Sequence, residues 1–149
     1  MDPKQHLYNF CNAFITERIN RIEKGITALQ ESLRSETKSS AGDKHETGRA
    51  MVQLEREKLG TQLAEAEKQK QLLLKVPLHK NTNSIGLGSW VHTSKGNYFL
   101  AISAGETHIS GTGTYCISLA TPIGKILLGS TKGDTVVING RNIQVLEVF

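Results

Sequence analysis

The sequence predicts an α+β protein in which an N-terminal antiparallel coiled-coil hairpin precedes a small antiparallel sheet domain with one short helix. Two changes along the chain predict it. Apolar residues recur at steps of three and four up to about residue 75, and at steps of two beyond residue 85. Residues up to Lys75 also hold 11 of the 14 acidic and 13 of the 18 basic side chains, which indicates two differently built parts. We therefore predict a hairpin over 1–76, a linker over 77–84 and a sheet domain over 85–149.

The two helices of the hairpin are predicted over about 4–35 and 46–75. In the first, the apolar side chains follow the three-four spacing of a coiled-coil seam: Tyr8, Cys11, Ile15, Ile19, Ile22, Ile26, Leu29 and Leu33. The second repeats the spacing more thinly, with Arg56 and Lys70 in two expected apolar positions: Val52, Leu59, Leu63, Ala66 and Leu73. Because a short connection makes consecutive helices neighbours, the pair is expected to pack antiparallel.

The second half of the chain is predicted to form strands and turns. Pro77 ends the second helix, because proline lacks the N–H that a helix needs. Candidate strands cover 89–93, 97–102, 107–110, 114–119, 135–138 and 142–148, and Asn139-Gly140 predicts a tight hairpin between the last two. Thr121 and Pro122 suit the start of a short helix and Gly129 its end. The aromatic side chains of this half are interpreted as sheet core over base-stacking groups: Trp90, Tyr98, Phe99 and Tyr115.

The net charge, the apolar segments and the cysteine spacing argue against several classes of protein. A net charge of +4 is too small to indicate a nucleic-acid binder by itself. No signal peptide and no membrane-spanning apolar run is visible, so we expect a cytoplasmic protein without a membrane partner. Cys11 and Cys116 lack metal-type spacing, and we expect two buried, reduced thiols.

The break between the helical patterns, residues 39–49, is predicted to form the tip of the hairpin. It holds two carboxylates, Asp43 and Glu46, three positions apart. Asp-x-x-Glu before a helix is also a capping box, in which each side chain accepts a hydrogen bond from a free N–H of the first turn. Both interpretations can hold together if a serine of the break helps to cap. His45, between the acids, is interpreted as a solvated loop residue over a zinc ligand.

Two motifs carry a resemblance that covers nearly the whole chain. Gly42-Asp43-x-x-Glu46 resembles the G-D-x-x-E tip of the bacterial Gre transcript-cleavage factors, GreA and GreB. The segment 121–129, TPIGKILLG, followed by Lys132-Gly133-Asp134, resembles the S-P-[LI]-[AG]-[RK]-A-L-[LI]-G-K…G-D run of the same family. The resemblance implies a coiled coil followed by an FKBP-like domain that docks on RNA polymerase. Too few aromatic side chains are present for the pocket of an active prolyl isomerase, so FKBP-like shape need not mean that activity.

The resemblance also implies what the tip does. In such factors the rod enters the secondary channel of bacterial RNA polymerase, and the tip acids reach the polymerase active site. Asp43 and Glu46 would there help to hold a second Mg²⁺ shared with the polymerase, since Mg²⁺ prefers carboxylate and water oxygens and two-metal hydrolysis needs that ion. Asp43 is the expected ligand, with Glu46 as its partner or as the group that orients water. Lys38, Lys44 and Arg49 would face the nascent RNA 3′ end.

The docking residues follow from the second motif, and the resemblance implies that they contact the polymerase: Pro122, Ile123, Gly124, Lys125, Gly133 and Asp134. The chain is then expected to be a monomeric accessory factor that stimulates the polymerase's own cleavage of backtracked RNA, and not itself an enzyme. It departs from the family at Thr47-Gly48-Arg49-Ala50, where N-A-E-Y is usual. Two alternatives therefore stay open: a Gre-like channel ligand that regulates or inhibits without cleavage, and a coiled-coil interaction or chaperone module that does not bind polymerase.

Overall fold

The structure, a computed structural model, describes residues 2–38, 43–79 and 83–149, and the side chains of 36–38 and 43–46 lie outside that description. Contacts between residues divide the chain into two compact units. The hairpin unit is Ile15–Lys70, and the sheet unit is Met1–Phe14 with Gln71–Phe149. The boundaries predicted at residues 76 and 85 follow secondary structure, whereas these units follow packing, so the two divisions describe different properties.

Two long helices form the hairpin unit and continue into the sheet unit. Helix α1 is Pro3–Lys38 and α2 is Asp43–Leu74. Both predicted helices are confirmed, but α2 begins three residues earlier than predicted, because an acid-rich segment extends readily into a first helical turn. Asp43, Glu46 and Arg49 therefore belong to a helix and not to a loop.

The seam of the helices follows most of the predicted stripe. Along it, burial is complete or nearly so in the lower half and partial towards the tip: Cys11, Ile15, Ile19, Ile22, Ala66 and Leu73 are buried, and Ile26, Leu29, Leu33, Val52, Leu59 and Leu63 are half-buried. Tyr8 is only half-buried, and the fully buried Leu7 takes its place. Leu7 lies one helical turn before Cys11, so both face the sheet unit's interior together.

Six strands and one short helix complete the sheet unit. The elements are β1 (Trp90–Thr93), β2 (Gly96–Leu100), β3 (Gly105–Ile109), β4 (Thr112–Ile117), α3 (Pro122–Leu127), β5 (Thr135–Ile138) and β6 (Arg141–Val148). Their order across the sheet is β3-β4-β2-β1-β6-β5. The predicted turn between β5 and β6 is confirmed, since Asn139 and Gly140 both have positive φ, 51° and 76°, as a type I′ turn requires.

One pair of strands departs from the predicted antiparallel sheet. β2 and β4 are parallel, with Asn97 opposite Thr114 and Leu100 opposite Ile117. The chain leaves β2 for the edge strand β3 and returns between the two as β4, so β4 must run in the same direction as β2. Strand periodicity gives no information on this return path, because it is identical for parallel and antiparallel neighbours.

The core of the sheet unit lies between the sheet and α3. It is a cluster of buried apolar side chains: Ile85, Val91, Tyr98, Leu100, Leu127 and Val145. Phe99 is fully buried on the opposite side of β2 from Tyr98 and Leu100, as alternation along a strand requires. The prediction of core positions is confirmed for Tyr98 and Phe99 and wrong for Tyr115, which is 49% exposed.

Candidate functional site

The predicted acid pair lies at the first turn of α2. Because α1 ends at Lys38 and α2 begins at Asp43, only residues 39–42 separate the helices. The positive end of a helix dipole favours carboxylates in this turn. The side chains of Asp43 and Glu46, and those of Lys38 and Lys44, lie outside the described residues, so metal binding, capping and RNA contact by them stay predictions.

Contacts across the seam give the direction of the two helices. Arg18 Nη1 donates to Gln69 Oε1 at 3.5 Å. Closer to the turn, a Cβ placed on Gly25 would lie 3.2 Å from Leu59 Cδ1. Partners that advance along α1 therefore retreat along α2, and the helices are antiparallel. The acid pair thus lies at the end of α2 that is nearer to the end of α1.

A groove that we call the arginine groove lies between the two helices near this end of the hairpin. It has a volume of about 580 Å³, and its lining residues all come from the tip-proximal halves of the two helices: Gln30, Glu31, Leu33, Arg34, Arg49, Gln53 and Arg56. The spacing 49, 53, 56 places the α2 members on one helix face, and Gln30 and Arg34 are likewise one turn apart on α1.

The charge of the arginine groove is strongly positive. Three guanidinium groups line it against one carboxylate, Glu31, which lies 3.7 Å from Arg34 in an exposed pair. Exposed pairs of this kind contribute little to stability. Planar guanidinium groups bind phosphate oxygens in pairs, so the groove suits a phosphodiester chain. Arg49 is half-buried in it.

Sequence reasoning singled out Arg49 as RNA-facing and missed Arg34 and Arg56 as its neighbours. One signal was available for Arg56, since it occupies an apolar position of the seam pattern. An arginine at such a position places its charged end beside the seam while its methylene stem covers apolar surface. Arg34 carries no comparable signal in the sequence.

The predicted docking segment folds around two structural residues. The N-cap is confirmed, because Thr121 Oγ1 accepts a hydrogen bond from the Gly124 N–H at 3.0 Å. Gly124 is buried, and a Cβ there would lie 2.9 Å from Leu119 Cα and closer still to the Ser118 carbonyl. The helix can therefore lie this close to the preceding segment only with glycine at this position.

Asp134 also has a structural role. Its Oδ2 accepts hydrogen bonds from the Thr131 N–H at 2.8 Å and the Thr131 hydroxyl at 3.2 Å. The Gly133 N–H donates to the Val145 carbonyl at 2.8 Å, and Gly133 has a φ of 93°. The Gly-Asp motif thus fixes a turn against β6, and Gly124, Gly133 and Asp134 are explained by folding alone.

The remaining docking residues are accessible. Pro122 and Lys125 are exposed, and Ile123 is half-buried against the core. Beside them in sequence, Ile126 and Leu128 form an exposed apolar pair, at 39% and 53%, whereas the exposed Val137 lies on the opposite side of β5 from the core residue Val136. Exposed apolar side chains next to a lysine are typical of a protein-binding surface.

Other kinds of site are not found in the described part of the chain. Within it, no group of three or more His, Cys, Asp or Glu side chains could hold a metal ion. Among the helices of that same part, none carries an apolar stretch of membrane-spanning length. His108 Nε2 lies 3.6 Å from Glu106 Oε1, but both side chains are on the open face of the β3–β4 pair.

Comparison with known proteins gives structural neighbours only. No protein-family model and no curated protein matches the chain. It is similar to the transcription factor Gfh1, at 19% identity and a TM-score of 0.35 over 90% of both chains. It is also similar to the GreA factor homolog Gfh1 of Thermus thermophilus, at 21% identity and a TM-score of 0.36 over 88% of this chain and 94% of the other. Both neighbours are Gre-like. With identities below 25% and TM-scores below 0.5, the two similarities carry no argument about function.

Proposed function

We propose that the chain is a transcription elongation factor that binds bacterial RNA polymerase and stimulates the cleavage of backtracked RNA. It would act as a monomer in the cytoplasm and as an accessory factor, with the bond broken by the polymerase. The observation that carries the proposal is the start of α2 at Asp43. The Asp-x-x-Glu motif thus occupies the first turn of α2, and the α2 residues of the arginine groove follow it along the same helix.

The chemistry assigned to the acids is that of a shared metal site. Asp43 would bind the second Mg²⁺ of the polymerase, and Glu46 would bind it or orient the attacking water. Two carboxylates with water and phosphate form a typical Mg²⁺ environment, and the ion would activate water and stabilise the in-line transition state. Neither acid needs a preformed site in the free protein, since the polymerase and the RNA supply the other ligands.

The arginine groove supports an RNA contact for the same tip. Arg49, with Lys38 and Lys44, is proposed to face the displaced RNA 3′ end, and Arg34 and Arg56 extend this positive surface along the helices. Its contribution should fall as salt rises, because phosphate contacts release bound counterions.

The exposed apolar pair of Ile126 and Leu128 is proposed to dock on the polymerase. Pro122, Ile123 and Lys125 would contact the polymerase directly together with this pair. Gly124, Gly133 and Asp134 would contribute by holding α3 and the following turn in place. An Ile126→Asp, Leu128→Asp double variant should lose binding to the polymerase core enzyme, whereas Lys95→Asp, in the exposed β1–β2 turn, should keep it.

The decisive experiment is an Asp43→Asn, Glu46→Gln variant assayed on stalled, backtracked elongation complexes with Mg²⁺. Both changes keep side-chain size and remove the charge. We expect loss of RNA shortening with polymerase binding retained. The matched control is Glu55→Gln, Glu57→Gln, which removes two exposed acids of α2 away from the turn. Cleavage by the tip variant at the wild-type rate would refute the assigned role of the acids.

A second test addresses the groove. Arg56→Glu should reduce cleavage several-fold at low salt and less at high salt, since screening weakens the same interaction in the wild type. Lys58→Glu makes an equal change of charge on α2 outside the groove and should have little effect. Equal losses in both variants would show that only net charge matters.

One observation favours a second candidate function. Arg49 replaces a family acid and lies with Arg34 and Arg56 in the groove, so the tip is more positive than the family pattern. Such a tip suits a channel ligand that slows nucleotide addition without cleavage. Wild-type protein that slows addition and gives no shortened RNA would select this function. Failure to bind the core enzyme at all would instead select the interaction or chaperone module.

A further inference from the structure

A cavity that the proposed function does not use lies beside the start of α1, and we call it the α1 cavity. Its volume of about 390 Å³ is within the range of small-molecule sites. All of its lining residues belong to the sheet unit, and they include Asp2, Lys4, Leu78, His79, Trp90 and Phe149. The lining is thus mostly apolar or aromatic, with one basic and one acidic side chain.

Four chain segments meet at the α1 cavity, and backbone contacts bring three of them together. Trp90 and Phe149 exchange both backbone hydrogen bonds, at 3.0 and 2.9 Å, so the start of β1 and the residue after β6 lie side by side. The segment after α2 passes close to them, since a Cβ on Gly88 would lie 2.7 Å from the Pro77 carbonyl oxygen. The two cavity residues that follow Pro77 therefore lie near the start of β1.

Aromatic rings give the α1 cavity flat apolar walls. The ring centroids of Trp90 and Phe149 are 5.4 Å apart, with an angle of 38° between the ring planes, and the His79 ring lines the same cavity. The polar atom of the indole is already used, because Trp90 Nε1 donates to Thr114 Oγ1 at 3.2 Å. The Trp90 ring thus offers the cavity an apolar surface, on which a planar ring can stack.

Lys4 places a buried cation at this cavity. Lys4 is only 9% exposed, and its ammonium forms no ion pair or hydrogen bond with any residue in the described part of the chain. Burial lowers the pKa of Lys4, and the Asp2 carboxylate raises it only in part. Because a buried charge without a hydrogen-bond partner is unfavourable, an anion that entered the cavity would stabilise this ammonium.

The carboxylate beside Lys4 is bonded to the backbone of α1. Asp2 Oδ1 accepts a hydrogen bond from the Lys4 N–H at 3.1 Å, and the Asp2 carbonyl accepts one from the His6 N–H at 3.0 Å. Asp2 is therefore the N-cap of α1. Its charge opposes the binding of an anion, whereas the positive end of the helix dipole favours it.

We propose that the α1 cavity binds a small aromatic carboxylate. The carboxylate accepts a hydrogen bond from the Lys4 ammonium, and the planar ring lies against Trp90 and Phe149. A neutral aromatic ligand would leave the ammonium without a partner, and an aliphatic carboxylate would lose the contact with the rings. Both parts of the ligand are therefore needed. Binding joins the start of α1 to the sheet and stabilises the sheet unit against unfolding.

The test uses the full-length wild-type protein labelled with ¹⁵N. Trp90 is the only tryptophan of the chain, so the NMR spectrum contains one indole N–H signal, and it comes from the wall of the α1 cavity. 2-Naphthoate should shift this signal with a dissociation constant of about 1 mM or below. 2-Naphthalenemethanol, which has the same rings without the charge, and acetate, which has the charge without the rings, should bind roughly 10- to 100-fold more weakly.

Three variants test the two charged residues of the cavity. Lys4→Met removes the ammonium and keeps an unbranched apolar stem, and it should weaken 2-naphthoate binding by roughly 10- to 100-fold. Lys95→Met makes the same change of charge in the exposed β1–β2 turn and should leave the affinity unchanged. Asp2→Asn keeps an oxygen that caps α1 and removes the charge that opposes the ligand, so binding should tighten by about two- to fivefold.

Equal affinities for 2-naphthoate and 2-naphthalenemethanol would overturn the proposal, since the ammonium would then play no part in binding. This comparison needs only the wild-type protein, so it decides the matter even if Lys4→Met does not fold. An indole signal that stays in place up to about 10 mM 2-naphthoate would also overturn it. So would an affinity for acetate equal to that for 2-naphthoate, or weaker binding by Asp2→Asn.

Discussion

The hairpin unit and the sheet unit bury their apolar residues in different ways. In Ile15–Lys70 the fully or nearly fully buried side chains form one line along the seam, namely Ile15, Ile19, Ile22 and Ala66. Large side chains such as Met51 and Leu54 remain about two-thirds exposed, at 67% and 66%. The sheet unit instead surrounds Phe99, Leu100 and Val145 completely. The hairpin unit thus buries its apolar side chains on one side only, whereas the sheet unit has an enclosed core.

This difference indicates how each unit tolerates substitution. A residue in the sheet core contacts neighbours on every side, so its removal leaves a cavity. A residue in a two-helix seam has neighbours on one side only, and the helices can partly close over a lost side chain. The single tryptophan, Trp90, lies in β1 and reports on the sheet unit, while circular dichroism at the helical band reports mainly on α1 and α2.

The largest effect is expected for Phe99→Ala. Phe99 is fully buried, and truncation of such a side chain typically costs about 3–5 kcal/mol of unfolding free energy. Guanidinium unfolding followed by Trp90 fluorescence measures the loss, with Phe99→Leu as the milder control. A loss below about 1 kcal/mol would show that the sheet core is loosely packed, and the contrast between the units would fail.

A smaller loss is expected for Ile19→Ala in the seam, about 2 kcal/mol, at the low end for a truncated core residue because the helices can close over the site. Helical circular dichroism should register it more strongly than Trp90 fluorescence does. Met51→Ala on the exposed side should stay within about 0.5 kcal/mol. Equal shifts of both signals in the Ile19 variant would mean that the units unfold as one cooperative body.

Replacing a glycine by alanine is expected to change stability in opposite directions in the two units. Gly124→Ala should destabilise the sheet unit by about 1–3 kcal/mol, because its Cβ would overlap backbone atoms of the segment before α3. Gly60→Ala should stabilise the hairpin by up to about 1 kcal/mol, since Gly60 is inside α2 with nothing within 4 Å of an added Cβ. Thermal unfolding of the two variants measures both signs. A stabilising Gly124→Ala would show that α3 can move away without cost.

Local signals predicted much of this architecture. The Asn139-Gly140 turn, the Thr121 cap of α3 and the seam of α1 depend on residues a few positions apart, and all three are present. The return of β4 beside β2 depends on residues far apart in sequence, so no periodicity could predict it.

The candidate site also combines features that a short motif predicts with features that depend on residues far apart in sequence. Asp43 and Glu46 were found from a motif of four residues, and α2 begins at that motif. The arginine groove could not be predicted in this way, because it depends on the register of the two helices. That register brings Arg34 of α1 to the same groove as Arg49 and Arg56 of α2. An apolar seam pattern with basic residues at two positions predicts a helical hairpin. It does not identify which residues of the partner helix lie opposite those two positions.

The smallest expected effect is a pH dependence that belongs to the sheet unit alone. His92 on β1 is enclosed by the rings of Trp90 and Phe149, with centroids at 4.4 and 5.0 Å, and its Nε2 is buried without a hydrogen-bond partner in the described structure. Burial lowers the pKa of His92 below its ordinary value of 6.5, and the carboxylate of Glu147, opposite it on β6, raises the pKa only in part. Glu147 also forms an ion pair with Lys132 at 2.7 Å, and this pairing weakens the electrostatic attraction between Glu147 and a protonated His92.

The direction of the pH dependence follows from whether the folded or the unfolded chain protonates His92 at the higher pH. As the pH falls through about 6.5, the unfolded chain protonates His92 while the folded chain does not, so the unfolding free energy falls and levels off below the folded pKa. We expect this slope in Trp90-detected unfolding between pH 7.5 and 5, to a modest extent because part of the ring remains open to water. His92→Gln should reduce it, and His79→Gln, which removes an exposed imidazole, should leave it unchanged. A slope unaltered by His92→Gln would assign the pH dependence to other groups and leave the buried imidazole without energetic consequence.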